Sequence, residues 1–338
     1  MRAYLDDIIA KEGMISLHDY MDICLNHPDY GYYVQGNPIG KEGDFITAPE
    51  MTQIFGELIG IFIITHIQKM VQSGYHLIEL GAGRGTLLKD VLRVLERKNA
   101  PQSVMILESN QKLEALQKQA ILGVNHIKTL NELPEAPIFV LANEFFDALP
   151  IHAYKYKENT SYEVMVRGQN GHYEFCQKEA PEKTKQNFYE DSPAARGIMQ
   201  KLAQHISHYG GGGLFIDYGY ITPPNKLTFR GFKEHIVTDG LSDPFMSDLT
   251  ADVDFQSLQD IARTENIQTY DILTQKDFLE KMYMPQRLQK LLKNADTAQK
   301  ESLLKASEKL SHPDQMGTRF KFMAMTQTYC DLYPFQPV

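Results

Sequence analysis

The fold is decided by one stretch of the chain, which reads Leu77-Ile78-Glu79-Leu80-Gly81-Ala82-Gly83-Arg84-Gly85-Thr86. Its apolar first half predicts a short buried strand, and the residues that follow Gly85 predict an amphipathic helix. The glycines between them allow a sharp turn and let backbone N–H groups come close to a ligand. The N-terminus of the helix adds free donors and a partial positive charge. The stretch therefore predicts a nucleotide-type pocket at the end of a strand in an α/β sheet.

Glu79, just before the turn, indicates which nucleotide this pocket binds. The dinucleotide fingerprint G-x-G-x-x-G requires its third glycine at the position where this chain has Thr86. A carboxylate at the turn repels a pyrophosphate, whereas it suits a ligand with an ammonium and a sulfonium group. We therefore expect S-adenosylmethionine as the cofactor, bound by Glu79, Gly81, Ala82, Gly83 and Gly85. The alternatives are a glycine-rich turn without a ligand and an NAD-dependent oxidoreductase.

The following strands supply the rest of the predicted cofactor site. The apolar run 103–107 ends at Glu108, and an acidic residue there can accept hydrogen bonds from both ribose hydroxyls. The alternative for Glu108 is an ordinary solvent-exposed strand end. The loop after the third strand is where an adenine would lie, by analogy of fold alone. With these positions, the predicted cofactor site also includes Ser109, Thr129, Leu130, Asn143, Thr47 and Pro49.

Composition limits the class of protein. The chain has 338 residues, of which 43% are hydrophobic and 23% charged, so it can form one large domain or two small ones. Its net charge of −9 argues against non-specific binding to nucleic acid and is compatible with a basic substrate. The three cysteines are odd in number and match no zinc spacing, so we expect a reducing compartment and no metal site.

The sequence contains no clear membrane or secretion signal. Its N-terminus carries Asp6 and Asp7 where a signal peptide is basic and then apolar. The most apolar run, 58–64, is too short to span a bilayer. We therefore expect no membrane insertion and a soluble protein, which is either cytoplasmic or organellar after removal of a targeting segment. The oligomeric state cannot be predicted from these features.

Apolar runs alternate with helical patterns after residue 73 and predict the order of elements. Strands are expected at 76–80, 103–108, 125–128, 137–142, 214–220 and 316–325, with a β-rich insertion at 151–190 and a helical insertion at 275–312. The run Gly210–Gly213 is interpreted as a tight connection from helix to strand, and residues 221–250 as a long irregular segment. Residues 1–72 form either a helical cap or a functional lid, since their loops carry aromatic and acidic residues.

Two carboxylates follow the fourth strand, where the methyl acceptor would arrive. Glu144 and Asp147 are separated by Phe145 and Phe146, and one helical turn would place both acids on the same side. The carboxyl end of this strand opens on the ligand crevice of such folds. The alternative is a helix N-terminus that is stabilised by acidic residues.

Several motifs together resemble those of the MidA-type methyltransferase family, over about residues 3–328. They are His27 to Tyr33, Gly43 to Glu50, Phe55-Gly56-Glu57, Glu79 to Gly85, Asn143 to Pro150, Asp217-Tyr218-Gly219, and Met316-Gly317 to Ala324. The resemblance implies a Rossmann-like class I methyltransferase sheet with helices on both faces, preceded by the N-terminal helical cap. It places the catalytic domain at 73–330. Asp252 stands where the family usually has His, and the chain has no Trp where the family has one.

The resemblance also implies a substrate. Eukaryotic members of the family are mitochondrial protein arginine methyltransferases that form symmetric dimethylarginine on a subunit of respiratory complex I and act in its assembly. We therefore expect a protein partner with an accessible arginine. Glu144 and Asp147 would hold its guanidinium, Asp44 and Glu50 are second candidates, and Phe145 and Phe146 would wall the site.

The implied location is the cytoplasm in a bacterium or the mitochondrial matrix in a eukaryote. The sequence leaves two alternatives to arginine methylation. One is a protein that binds the cofactor and acts only as an assembly factor or chaperone. The other is a methyltransferase with a different acceptor.

Overall fold

A computed structural model describes residues 1–35, 47–96, 98–181 and 186–338. In chain order the helices are α1 (Arg2–Glu12), α2 (Leu17–Asn26), α3 (Tyr32–Gln35), α4 (Ala48–Met51), α5 (Gln53–Met70), α6 (Thr86–Leu95), α7 (Gln111–Ala120), α8 (Pro193–Tyr209), α9 (Phe255–Thr264), α10 (Gln275–Lys281), α11 (Met284–Asn294) and α12 (Thr297–Ser311). Short turns of 3₁₀ and π type occur at Leu130–Glu132 and Pro313–Gly317.

The strands are numbered in the same way. They are β1 (Ile15–Ser16), β2 (His76–Leu80), β3 (Ser103–Leu107), β4 (Asn125–Ile127), β5 (Ile138–Asn143), β6 (His152–Lys157), β7 (Thr160–Gln169), β8 (His172–Ala180), β9 (Phe188–Asp191), β10 (Gly211–Tyr220), β11 (Arg230–Lys233), β12 (Ile236–Thr238), β13 (Asp248–Thr250), β14 (Val253–Asp254), β15 (Gln268–Thr269), β16 (Leu273–Thr274) and β17 (Phe320–Thr326).

The chain divides into two compact units. The first unit comprises the described residues of Met1–Ile46, Phe146–Gly197 and Tyr220–Asp254, and the second those of Thr47–Phe145, Ile198–Gly219 and Phe255–Val338. This division differs from the predicted boundary at residue 72, because α5 belongs to the second unit. The reason is that α5 is apolar on nearly every side, so it is part of the core around the sheet.

The second unit is built on a sheet with the strand order β15-β17-β10-β5-β2-β3-β4. Neighbouring strands are parallel along the series β4, β3, β2, β5 and β10, and β17 runs antiparallel to β10. All six residues of β5 are buried, which requires that both faces of the sheet are covered. The chain proceeds from β2 to β3 and β4 on one side, and continues with β5 and β10 on the other. The switch point therefore lies between β2 and β5, where ligands bind in open α/β sheets.

Two glycines of α5 allow α6 to pack unusually close. A Cβ atom at Gly56 would lie 2.6 Å from Cβ of Asp90, and one at Gly60 would lie 2.8 Å from Cβ of Val94. Both distances are below any normal carbon–carbon contact, so larger side chains would force the helices apart. The helix that begins at the glycine turn is thereby held against the core.

The first unit has its own sheets and its own core. One sheet has the order β1-β7-β6-β9, with β8 paired to β7, and a second has the order β12-β11-β13. The hairpin between β7 and β8 turns at Asn170-Gly171, with both turn residues at positive φ, which is a usual sequence for such a turn. Ser16 is the N-cap of α2, since its Oγ accepts a hydrogen bond from the amide of Asp19.

The α/β class and the methyltransferase-type sheet are confirmed, and two local predictions are wrong. Residues 221–250 are not wholly irregular, because they contain β11, β12 and β13. The hairpin between β11 and β12 turns at Glu234-His235, both at positive φ, and these are not the residues that usually mark such a turn. Gly211–Gly213 belong to β10, and only Gly210 lies between helix and strand. None of the helices among the described residues is long and apolar enough to cross a membrane.

Candidate active site

The glycine turn after β2 has the conformation that its sequence predicts. Gly81, Gly83 and Gly85 all have positive φ, at 61°, 53° and 81°. Other residues adopt such values only with strain, so the turn depends on glycine. A Cβ atom at Gly81 would also lie 2.8 Å from Cδ2 of Phe145, whose ring therefore lies directly over the turn. Gly85 occupies the N-cap position of α6, so the helix N-terminus opens at this turn.

Glu79 and Asn143 are buried acceptors at the carboxyl ends of the two strands beside the switch point. Glu79 is 2% exposed, and burial raises the pKa of its carboxyl to about 8. Among the described residues, Oε2 of Glu79 and Oδ1 of Asn143 have no hydrogen-bond partner. Buried polar atoms are normally paired, so two orphaned acceptors indicate a missing donor. An α-ammonium group, as in S-adenosylmethionine, fits this pair of acceptors.

Glu108 follows β3 and is held by its neighbours. Its Oε1 accepts a hydrogen bond from the amide of Asn110 at 2.8 Å, and its Oε2 accepts one from Nε2 of Gln117 at 3.0 Å. Burial raises the pKa of the Glu108 carboxyl, and these hydrogen bonds oppose that rise. The solvent-exposed strand end considered as the alternative is not observed, because Glu108 is 7% exposed. The adjacent Ser109 is exposed.

The loop after β4 is ordered by a capping interaction. Oε1 of Glu132 accepts hydrogen bonds from the amide of Thr129 at 2.8 Å and from its hydroxyl at 3.2 Å. Thr129 is exposed and Leu130 is half-buried, so both are accessible on this loop. No contact among the described residues identifies them as adenine ligands, and their assignment stays a prediction.

The residues before α5 also reach the glycine turn. Thr47 and Pro49 are buried at the start of the short helix α4. Oε1 of Glu50 accepts a hydrogen bond from the hydroxyl of Thr86, the first residue of α6. Glu50 is therefore connected to the cofactor turn, although it was expected to hold the acceptor. Asp44, the other candidate from this segment, lies outside the described residues.

Glu144 and Phe145 are placed by the end of β10. The amide of Glu144 donates to the carbonyl of Ile216 at 2.9 Å, and the amide of Phe145 donates to Oδ2 of the buried Asp217 at 3.1 Å. Glu144 has φ of 50°, which costs a non-glycine residue about 1–3 kcal/mol and is concentrated at functional sites. Nδ2 of Asn143 donates to Oε1 of Glu144 at 3.2 Å. A residue predicted to bind the cofactor is therefore in contact with one predicted to hold the acceptor.

Asp147 is held by a segment about a hundred residues later in the chain. Its Oδ2 accepts a hydrogen bond from the hydroxyl of Thr250 at 2.8 Å, and its carbonyl accepts one from the amide of Ala251 at 3.0 Å. Burial raises the pKa of Asp147, and the positive charge of Arg230 opposes this rise. Asp252, the residue in place of the family His, pairs with Nη1 of Arg230 at 2.7 Å.

The segment after β5 does not form the helical turn that was considered for Glu144 and Asp147. Residues 144–150 form bends and a turn, closed by a hydrogen bond from the amide of Leu149 to the carbonyl of Phe146. The proline at position 150 removes a donor that a continuing helix would need. Phe146 is 3% exposed and belongs to the interior. The helix N-terminus proposed as the alternative is therefore absent as well.

A family described as "Putative S-adenosyl-L-methionine-dependent methyltransferase" matches residues 58–273, which is more than half of the chain. The chain belongs to this methyltransferase family. A protein arginine methyltransferase NDUFAF7, mitochondrial, from Danio rerio is 34% identical over 96% of this chain and 86% of its own length. The Homo sapiens relative of the same name is 33% identical over 94% of this chain and 81% of its own length.

Solved structures agree on the fold. A crystal structure of a protein from Burkholderia thailandensis bound to S-adenosyl-homocysteine has a TM-score of 0.84 with this methyltransferase, at 21% identity. The match covers 99% of this chain and 95% of that chain. Because the chain belongs to the methyltransferase family, it is an S-adenosylmethionine-dependent methyltransferase, and the predicted cofactor and enzyme class are confirmed. The dinucleotide oxidoreductase alternative is excluded by the family.

Two residues of this methyltransferase site were not predicted. Gln117 donates from Nε2 both to Glu108 and to the carbonyl of Gly83, at 3.0 and 2.8 Å. The available signal for Gln117 was its position one helical turn after the buried Leu113, on the same face of α7. Asp217 belongs to a quoted motif, but its role in holding Phe145 required the pairing of β10 with β5.

Proposed function

We propose that this methyltransferase transfers a methyl group to a guanidinium nitrogen of an arginine in a protein substrate. The observation that carries this proposal is the identity of 32–34% with relatives that are each named a protein arginine methyltransferase, over at least 94% of this chain. The net charge of −9 also favours a basic acceptor. The symmetric dimethylarginine product and a respiratory complex I subunit as the partner are finer parts of the same proposal.

The chain's own residues bind and orient the cofactor at the switch point. Glu79 and Asn143 accept hydrogen bonds from the α-ammonium group, which pairs the two orphaned acceptors. Glu108 accepts from the ribose hydroxyls, and the glycine turn lets the backbone approach closely. Thr47, Pro49, Ser109, Thr129 and Leu130 complete the proposed contacts. When bound, S-adenosylmethionine supplies a methyl group that is already activated by its sulfonium, so position and alignment are the main requirements.

The acceptor needs carboxylates, because its lone pair is delocalised over the guanidinium. A carboxylate that accepts two N–H bonds fixes the plane of the group and concentrates positive charge away from the attacking nitrogen. Glu144 and Asp147 are the proposed residues for this role. Phe145, over the glycine turn, excludes water from the methyl group, and Phe146 supports the same segment from the interior. Asp44 and Glu50 remain secondary candidates for the acceptor.

The proposed location follows the relatives. They are named mitochondrial, which supports the mitochondrial matrix if the chain is eukaryotic. In a bacterium the corresponding compartment is the cytoplasm. Neither membrane insertion nor nucleic acid is part of the proposal.

The test is binding followed by transfer. Titration calorimetry with S-adenosylmethionine measures binding, and the radiolabelled cofactor is then incubated with a lysate from cells that lack this protein. One labelled band that yields symmetric dimethylarginine on hydrolysis supports the proposal and identifies the partner. The matched control is Glu79→Gln, for which we expect weak binding and no band.

Two outcomes would contradict the proposal in different ways. Label in an amino acid other than arginine would indicate a different acceptor. Tight binding with no labelled protein, under conditions where the lysate contains every candidate partner, would favour a cofactor-binding assembly factor or chaperone.

A further inference from the structure

Gln117 is a fully buried amide at the centre of a small hydrogen-bond network. It lies on α7 and is 0% exposed. Its Nε2 donates to the carbonyl of Gly83 at 2.8 Å and to Oε2 of Glu108 at 3.0 Å, and its Oε1 lies 2.8 Å from Nε2 of His126. A buried amide is costly to desolvate unless its groups are paired, and here three hydrogen bonds pair them. The network therefore connects three separate parts of the chain.

The orientation of this amide follows from its partners. The carbonyl of Gly83 and the carboxylate of Glu108 can only accept, so the amino group of Gln117 must face them. Its oxygen then faces His126, whose Nε2 must carry a proton. Nδ1 of His126 is buried and has no partner among the described residues, and burial lowers the pKa of the ring. A neutral imidazole with its proton on Nε2 satisfies every one of these conditions.

We propose that Gln117 is a positioning residue for cofactor binding, which locks the ribose-binding carboxylate of Glu108 to the glycine turn at Gly83. This inference rests on the role proposed for Glu108 in the preceding section. His126 supports it by fixing which end of the amide faces the site. One side chain thus connects the glycine turn to the carboxylate proposed to bind the ribose.

The physical consequence is a coupling between Gln117 and Glu108. Without Gln117, Oε2 of Glu108 loses the hydrogen bond from this amide, so the carboxylate is held less firmly, and the carbonyl of Gly83 loses its partner. A bond to a charged group contributes enough for about a tenfold change in binding. If Glu108 is absent, there is no carboxylate left to position, so most of the effect of Gln117 should disappear.

The experiment is a double-mutant cycle that is read by calorimetric titration with S-adenosyl-homocysteine. The variants are Gln117→Met, which keeps the length of the side chain, then Glu108→Ala, and the double variant. We expect Gln117→Met to weaken binding about tenfold alone and less than about twofold in the Glu108→Ala background. Gln275→Met is the matched control, since Gln275 is equally buried on α10 and donates to the carbonyl of Leu310. The affinity of Gln275→Met for S-adenosyl-homocysteine should equal that of the wild type.

A second variant covers the case in which Gln117→Met does not fold. His126→Phe removes the donor to Oε1 of Gln117, and we expect a loss of about threefold that also disappears without Glu108. Equal losses with and without Glu108, or unchanged affinity in Gln117→Met, would overturn the proposal. The assay needs no methyl acceptor, so a failure of arginine methylation would leave its result readable. A wild-type protein that does not bind S-adenosyl-homocysteine would overturn both the role of Gln117 and the proposed function.

Discussion

Glu79 is a buried carboxylate and Asp147 a half-buried one, and their surroundings differ. Glu79 has one oxygen without a partner among the described residues, and its pKa is raised to about 8 by burial alone. Asp147 accepts a hydrogen bond from Thr250, and the nearby Arg230 opposes the effect of burial on its pKa. We propose that Glu79 obtains its partner from the ligand, whereas Asp147 is oriented by the protein before any ligand arrives.

This comparison separates two kinds of preparation for binding. An unpaired buried acceptor makes the empty site unfavourable and favours any ligand that brings a cation. A carboxylate already fixed by a hydroxyl loses little conformational freedom when an acceptor binds. We therefore expect changes near Glu79 to alter cofactor affinity, and changes near Glu144 and Asp147 to alter turnover.

The largest effect is expected for Glu144→Gln, which tests the turnover side of the comparison. The amide keeps the shape of the side chain but loses the charge that holds a guanidinium. We expect kcat to fall about 300-fold with an unchanged Kd for S-adenosyl-homocysteine, measured by labelled-methyl transfer and by calorimetry. The matched control is Glu158→Gln, because Glu158 also has positive φ, at 52°, but is exposed. Undiminished methylation by Glu144→Gln would remove this residue from the proposed acceptor site.

The next effect tests the cofactor side. Glu79→Gln removes the negative charge that faces the α-ammonium group and presents an amide of equal size. We expect the Kd for S-adenosyl-homocysteine to rise about 100-fold, measured by calorimetry at pH 8. Glu190→Gln is the control, since burial also raises the pKa of that carboxyl, to about 7, while its oxygens are bonded to Thr228. Equal losses for both variants would show that burial of any carboxyl, and not the ligand contact, is responsible.

The cofactor side was predictable because its signal is local in sequence. Glu79 and the glycines lie within seven consecutive residues, and their turn geometry depends mainly on glycine itself. Glu108 required only one further assumption, that the next strand lies beside the first. The parallel pairing of β2 with β3 confirms that arrangement. Local chemistry and the usual order of an α/β sheet were together sufficient for this part of the fold.

The remainder depends on contacts between residues that are distant in sequence. Thr250 orients Asp147 across 103 positions, and no pattern around either residue predicts that hydrogen bond. The helical turn expected after β5 failed because Glu144 adopts positive φ to bond with Ile216 of β10. The sheet within 221–250 was missed because Glu234-His235 lacks the glycine or asparagine that usually marks a hairpin. In each case tertiary pairing overrides a local preference.

A pH series sharpens the comparison, because Glu79 is the carboxylate proposed to face the cationic group of the cofactor and should couple a proton to its binding. Its pKa of about 8 in the free protein means that the carboxyl is mostly protonated below pH 8. Binding a cation favours the ionised form, so the proton must leave, and affinity should rise with pH and level off only above about pH 8. We expect S-adenosyl-homocysteine to bind about 30-fold more tightly at pH 8 than at pH 6, by calorimetry.

The control for the pH series is the same measurement on Glu79→Gln. Without a titrating carboxyl, its affinity should be nearly constant between pH 6 and pH 8. Calorimetry in buffers of different ionisation enthalpy should also show proton release for the wild type at pH 7 and none for the variant. A steep pH dependence that persists in Glu79→Gln would assign the proton to another group.

The smallest effect is expected for Thr250→Val, which tests whether the protein orients Asp147. The valine keeps the shape of the buried side chain and removes the hydroxyl that donates to Asp147. Asp147 would then rotate more freely, and its pKa would rise further. We expect kcat to fall about fivefold without a change in cofactor Kd, and Thr250→Ser to restore it. Thr269→Val is the matched control, since Thr269 is as buried on β15 and its hydroxyl accepts a hydrogen bond from Nε of Arg263. If Thr250→Val and Thr269→Val reduce kcat equally, the orientation of Asp147 does not depend on Thr250. The contrast between Asp147, oriented by the protein, and Glu79, which obtains its partner from the ligand, would then not hold.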